Sequence, residues 1–497
     1  MRPLPKWLSK TKLMRGYRCH KCLYLTIHHP ELETPIGPEL QALFDQGNKV
    51  GEEARKYFPG GVLIDNDPWD FYGALQNTRE QLAAGAQIIY EAAFEYCGCY
   101  ARADIIQFSP KTKRWRIYEV KSTTKVKPEH LDDVGLQVWI MTKSGLPIEQ
   151  INLLHLNTQC RFPDLSTLFT QHDITDDIRA TYLGVQPKVV ELYQTLKQAD
   201  VPPVDIGPYC HEPNPCGFVT HCWQEKKIPP LSIFNLPHIR NRKWDLYHEG
   251  IVALDDPRLT DLNELQARMV TAYQTGERFV DEPVLKTALR DWNYPFIFLD
   301  FETINPAIPR YVGTGPFQQV PFQFSVHRQE QPQAPLTHQA YLHDALDDPR
   351  DKLIPKLLTA CGTEGAIIAY YGVFEAKRIE ELAQYAPDQA PALMQLVERI
   401  VDPLPMIRAA IYDNFFKGSF SLKNVGPALL GESFSYQDML VADGGGAQRA
   451  FEKLISPHTS AKEKETLKQA MLAYCEKDTY VMVELVNWLY NACDFSS

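Results

Sequence analysis

The chain has 497 residues, more than one hydrophobic core ordinarily serves, so two or three domains are expected. With 44% apolar and 23% charged residues it excludes wholesale disorder, and no apolar run approaches the length needed to cross a bilayer. A formal charge of −11 excludes a protein coated in basic charge, though a local basic groove on an acidic body stays open.

The first thirty residues are basic and free of acids: Arg2, Lys6, Lys10, Lys12, Arg15, Arg18 and Lys21. Helical patterns follow around 38–58 and 75–93. Tyr100–Phe108 then reads as a strand, Ser109–Lys113 as a turn, and Arg114–Lys121 as the returning strand. Side chains alternate along a strand, so Glu119 and Lys121 share a face, and the hairpin can bring Asp104 beside them. An Asp and a Glu make a compact oxygen site for Mg²⁺ or Mn²⁺, and a lysine beside them can orient water or stabilise phosphorane charge. Glu91 can add a carboxylate, and Gln137, on a helix-patterned stretch, can brace the site. Glu-x-Lys alone more often marks an exposed ion pair. Between residues 111 and 127 seven Lys and Arg stand against one acid, Glu119, with Trp115 interleaved. That suits a polyanion, with phosphate contacts from the bases and stacking from the aromatic.

Cys210, Cys216 and Cys222 lie six apart among prolines and a glycine, outside any helix or strand pattern. The eleven cysteines are odd in number and no secretory signal is visible, so a cytoplasmic protein with cysteine-bound metal is expected rather than a disulfide framework. Residues 226–291 read as a connector with some structure of its own.

From Tyr294 a second αβ pattern starts. Phe296–Glu302 is an apolar strand ending in two carboxylates on one face, Asp300 and Glu302, a placement that is costly without a cation. Phe322–Val326 reads as its neighbour, and Ala366–Tyr371 as another strand ahead of a helix that opens with Glu375 and runs through Leu382. The last helix places Tyr474 and Asp478 four apart, on one face. No Gly-x-x-x-x-Gly-Lys-Ser/Thr signature is present, so a helicase motor is not expected in this chain.

In its first half the chain resembles the PD-(D/E)XK nuclease superfamily, in the RecB-like branch that carries an iron–sulfur cluster. The residues that match are Asp104, the triplet Glu119-Val-Lys121 and Gln137. That branch often has a histidine after a glycine in its first helix; Gly47–Glu53 has none, leaving Glu53 and Glu91 as substitutes. The resemblance also implies that Cys19 joins Cys210, Cys216 and Cys222 around a [4Fe–4S] cluster, with Cys22 the other candidate for first ligand and zinc the other metal for such thiolates. The second half resembles the DEDD (DnaQ-like, RNase H-fold) 3′–5′ exonucleases of the tyrosine subtype. There Asp300, Glu302, Glu375 and Asp478 would hold two divalent ions, and Tyr474 would orient the attacking water. Glu375 and Tyr371 stand where that family has Asp and Asn, and Asp402 is a supporting acid.

Together the two halves resemble a bacterial family of two-nuclease proteins. The expected architecture is α/β: a PD-(D/E)XK restriction-endonuclease-like domain (1–225), a partly structured connector (226–291) and an RNase H-like exonuclease domain (292–497). The expected activity is metal-dependent hydrolysis of DNA, single-stranded or end-bearing; DNA repair, recombination and defence against foreign DNA are all compatible with it, and the sequence does not choose among them. RNA trimming, or a non-catalytic nucleic-acid-binding adaptor, are the alternatives. Oligomeric state is left open by the sequence.

Overall fold

The computed structural model describes residues 3–493 and divides into two compact units. One comprises Met1–Lys227 with Ala307–Arg310 and Thr314–Phe317; the other comprises Ile228–Pro306, Tyr311–Gly313 and Gln318–Ser497. The architecture is mixed α/β, and the described residues include 17 α-helices and two larger sheets.

The first unit is built on a seven-stranded sheet. Ile88–Tyr96, Cys99–Ser109 and Arg114–Lys121 form an antiparallel meander, and Ile148–Leu156 runs parallel to the last of these after a crossover through the helix Pro128–Lys143. The first reversal is tight because Cys97 and Gly98 both take positive φ, 49° and 77°, as a two-residue hairpin turn requires. Along the returning strand Trp115 and Ile117 point into the core with Leu13, Val134 and Trp139. Glu119 and Lys121 continue that same alternate row toward the strand's end.

The helix expected at 75–93 is corrected: the helix is Phe71–Ala83, and Ile88–Tyr96 is a strand. Gly85, at φ 81°, reverses the chain between them. The alanines of this stretch favour helix in isolation, but pairing such as Ala92 with Ala103 overrides that preference.

The second unit carries a five-stranded sheet in the order Thr337–Leu342, Val320–Gln329, Phe296–Ile304, Ala366–Ile368, Ile400–Val401. The first three are antiparallel, and the last two run parallel to the central Phe296–Ile304. The strand expected to reach Tyr371 stops at Ile368, because Tyr371 turns at φ 65° into the helix Val373–Tyr385. The terminal helix, Ala461–Asn491, brings Met482 and Val486 onto Phe296 and Phe298 of the central strand. The segment read as a connector is packed into this unit: Ile233, Leu254 and Leu285 share one core with Ile407, Phe416 and Leu489.

Candidate metal centres

In the first unit three carboxylates form a row across three adjacent strands. The pairs Tyr90–Ile105 and Ala92–Ala103 set Glu91 opposite Asp104, and the pair Ile105–Tyr118 sets Asp104 opposite Glu119. Like charges facing one another across a sheet repel, so the row is held by other means. Asp104 accepts the Val120 backbone N–H at 2.7 Å, and Glu91 pairs with Arg55 at 3.0 Å from a left-handed backbone position, φ 56°. Lys121 Nζ lies 2.8 Å from Glu119 Oε1, as strand alternation required. Gln137, fully buried on the crossover helix, points its Oε1 into the same site.

Two site residues escaped the sequence reading. Lys10 Nζ donates to Glu119 at 3.0 Å, to Asp133 at 3.1 Å and to Gln137 at 2.8 Å. Asp133 also accepts from Lys121 at 2.5 Å. Asp133 was legible in principle, since it stands four residues before Gln137 on one helix face. Lys10 carried no such signal. Of the two substitutes for the missing histidine, the site takes Glu91. Glu53 instead pairs with Lys56 one helical turn on.

Electrostatics follow from this crowding. Burial, then Glu119 and Glu91, push the Asp104 carboxyl well above its ordinary range against the pull of Lys10 and Lys121. Burial alone would lower both lysines, but the surrounding carboxylates outweigh it and hold them above their usual values. Asp133 is driven the other way, its two lysines overcoming burial. Glu119 Oε2 and Gln137 Nε2 are buried without a hydrogen-bond partner. An unpaired buried carboxylate oxygen beside two further acids is what a small cation relieves, so the donor set fits Mg²⁺ or Mn²⁺.

Cys19, Cys22, Cys210, Cys216 and Cys222 line one pocket together with Leu25 and Phe218, so both candidates for the first thiolate face it. Cys19 Sγ accepts the Cys22 N–H at 3.4 Å, at the start of the helix His20–His28, and Cys22 Sγ lies 3.5 Å from Cys216 Sγ. Cys216 is drawn down to about 6, first by the Cys22 thiol, with Arg18 and Arg15 adding to it.

The polyanion reading is corrected in part. Trp115 is buried against Phe108, with ring centroids 5.3 Å apart, and cannot stack on a base. The N-terminal basic residues are largely spent inside the unit: Lys10 in the carboxylate site, Arg15 on Glu33, Arg18 on the Tyr209 and Asn214 carbonyls, Lys21 on Glu225. Arg2 lies outside the described residues. Lys111, Lys113 and Arg114 remain exposed at the hairpin tip.

In the second unit Asp300, Glu302 and Asp478 bring one carboxylate oxygen each within 4.8 Å of the others, a group able to hold a metal ion. Asp300 and Glu302 stand opposite Ser325 and Gln323 on the sheet face that the terminal helix covers. Glu375, in the first turn of its helix, is buried with Oε2 unpartnered. Burial, reinforced by neighbouring acids, pushes Asp300, Glu302 and Glu375 well above the carboxylate range. Burial raises Asp478 to about 6, and the Tyr436 and Tyr474 hydroxyls and Lys423 favour its charged form. Cys475 donates to Asp300 Oδ2 at 3.5 Å, a contact no sequence pattern announced. Lys423 lies over the rings of Tyr474 and Tyr436, 5.1 and 5.7 Å from their centroids. Asp402 is a brace: it accepts the backbone N–H groups of Tyr371, Gly372 and Leu404 at 3.1, 3.0 and 2.9 Å, which fixes the turn leading to Glu375.

Among the described residues no helix is long and apolar enough to cross a membrane. A comparison with curated proteins finds no match. Among solved structures, the crystal structure of an alkaline exonuclease (LHK-Exo) from Laribacter hongkongensis is similar at 13% identity and a TM-score of 0.23, over 39% of this chain and 90% of that one. Residues 297–421, which include Asp300, Glu302 and Glu375, match the family described as "Domain of unknown function (DUF2779)".

Proposed function

We propose that the chain is a metal-dependent nuclease that hydrolyses DNA at two separate centres, one in each unit, with a [4Fe–4S] cluster held by Cys19, Cys210, Cys216 and Cys222. The observation that carries this reading is the convergence of Asp300, Glu302 and Asp478, whose carboxylates each bring one oxygen within 4.8 Å of the others and crowd there despite Lys423 nearby. Divalent ions bound there would supply an activated water and neutralise the leaving 3′ oxygen. Asp300, Glu302, Asp478 and Glu375 would hold them, while Tyr474, kept protonated by burial and the adjacent acids, would position the water. The strand order, three antiparallel strands followed by two parallel ones with the acids on the central strand, supports an RNase H-like assignment for this unit. The row Glu91–Asp104–Glu119 with Lys121 and Gln137 supports a PD-(D/E)XK assignment for the other.

One observation favours a second reading of the first centre. The Lys10 ammonium touches Glu119, Asp133 and Gln137 and so already offsets the acids that a metal ion would, which favours a first centre that does not cut, as in a non-catalytic nucleic-acid-binding unit. A crystal soaked in Mn²⁺ tests both readings through its anomalous difference map. Two active centres require peaks beside Glu119 and Asp300; a peak beside Asp300 alone selects the second reading. No peak at either place overturns the proposal.

A further inference from the structure

A second cluster of ligand-type side chains lies in the exonuclease-like unit, and the acidic centre does not use it. His327, His338 and Glu476 come from three elements, the strands Val320–Gln329 and Thr337–Leu342 and the terminal helix. His327 and His338 are cross-strand partners, and one ligand atom of each of the three residues lies within 4.8 Å of the others.

Hydrogen-bond accounting decides what the imidazoles can do. His327 Nδ1 lies 2.8 Å from Thr479 Oγ1, and His338 Nε2 lies 2.9 Å from Ser325 Oγ. The two hydroxyls are 2.8 Å apart, and Thr479 Oγ1 is 3.0 Å from the Glu476 carbonyl. One proton arrangement satisfies every contact. His327 Nδ1–H donates to Thr479, His338 Nε2–H to Ser325, the Ser325 hydroxyl to Thr479, and the Thr479 hydroxyl to the Glu476 carbonyl. That arrangement leaves lone pairs on His327 Nε2 and His338 Nδ1, the latter 3.7 Å from Glu476 Oε1. Metal-binding imidazoles are commonly fixed this way, each donating its second N–H to an oxygen that sets tautomer and ring orientation.

We propose that His327, His338 and Glu476 form a zinc-binding site whose fourth position opens to water. Two imidazoles and one carboxylate suit zinc, whereas Mg²⁺ and Ca²⁺ prefer all-oxygen sets. Glu476 is exposed, which puts the open position on the solvent side. The site ties the helix that bears Tyr474 and Asp478 to the edge strand Thr337–Leu342 and its neighbour Val320–Gln329, and it stands whether or not the protein is a nuclease.

The test is zinc content and zinc-dependent melting of the full-length protein after chelator treatment and reloading with zinc chloride. His338→Ala and Glu476→Gln are compared with wild type, since both side chains are partly or largely exposed and tolerate replacement better than buried His327. Each variant is expected to retain one zinc equivalent fewer than wild type. The rise in Tm that zinc gives the wild-type protein shrinks in both, with unchanged metal-free melting. Equal zinc content in wild type and both variants overturns the site.

Discussion

Lys10 Nζ and Glu119 Oε1 lie 3.0 Å apart although 109 residues separate them in the chain. The N-terminal helix thereby places an ammonium against the innermost carboxylate of the first centre, beside Asp133 and Gln137. Removing one partner of a buried pair leaves the other uncompensated. Lys121 still pairs with both Glu119 at 2.8 Å and Asp133 at 2.5 Å, so Lys10→Ala is expected to destabilise this unit by about 2 kcal/mol, less than the full cost of an uncompensated buried charge. The same loss of positive charge strengthens metal binding. Thermal melts with and without Mn²⁺ should show a larger metal-induced rise in Tm for the variant than for wild type; an equal or smaller rise contradicts this.

The second centre makes stability depend on pH in a defined direction. Burial pushes the Asp478 carboxyl up from its ordinary 3.8 to about 6, and Asp300, Glu302 and Glu375 are raised as well. A carboxyl that holds its proton more tightly when folded stabilises the protein below its unfolded value and loses that contribution as pH rises through its folded value. Metal-free protein is expected to melt at a lower temperature at pH 8 than at pH 5, and divalent metal to bind more tightly at the higher pH. Asp478→Asn should flatten the metal-free profile. A profile that rises from pH 5 to 8 and is insensitive to this substitution contradicts the assignment.

At Tyr474 the expected effect is on rate rather than on metal. Its hydroxyl stands beside Asp478 in a buried position, so Tyr474→Phe should lower cleavage by roughly 10²-fold, the scale of one positioned proton-handling group, while Mn²⁺ affinity is unchanged. Equal loss of both would mark Tyr474 as structural.

The cysteine pocket makes a prediction about colour. Anaerobically purified protein is expected to be brown and to contain iron and sulfide, and Cys216→Ser to lose both along with several degrees of Tm. Cys19→Ser should lose iron while Cys22→Ser retains it. Colourless wild-type protein carrying zinc contradicts the cluster, and the reverse pattern at Cys19 and Cys22 reassigns the first ligand.

What could be read from the sequence was local. The hairpin Cys99–Lys121 was legible because polar and apolar residues alternate along it, and Asp300 and Glu302 because acids end an otherwise apolar strand. The basic neighbours of Trp115 suggest an exposed stacking surface, whereas strand alternation places it on the same inward face as Ile117, where the structure has it buried. The segment 84–93 was lost to the helix preference of its alanines. Lys10 and Cys475 were beyond reach, since each meets its partner only through tertiary packing, across 109 and 175 residues.

Degradation of end-labelled single-stranded DNA in the presence of Mg²⁺ or Mn²⁺ tests the two-centre account most directly, with a matched RNA strand run beside it. Wild type is expected to cleave DNA only with metal, Asp104→Ala and Asp300→Ala each to cleave more slowly, and the double variant not at all. Cleavage by the double variant at the wild-type rate, or by none of the four proteins under either metal, would contradict it.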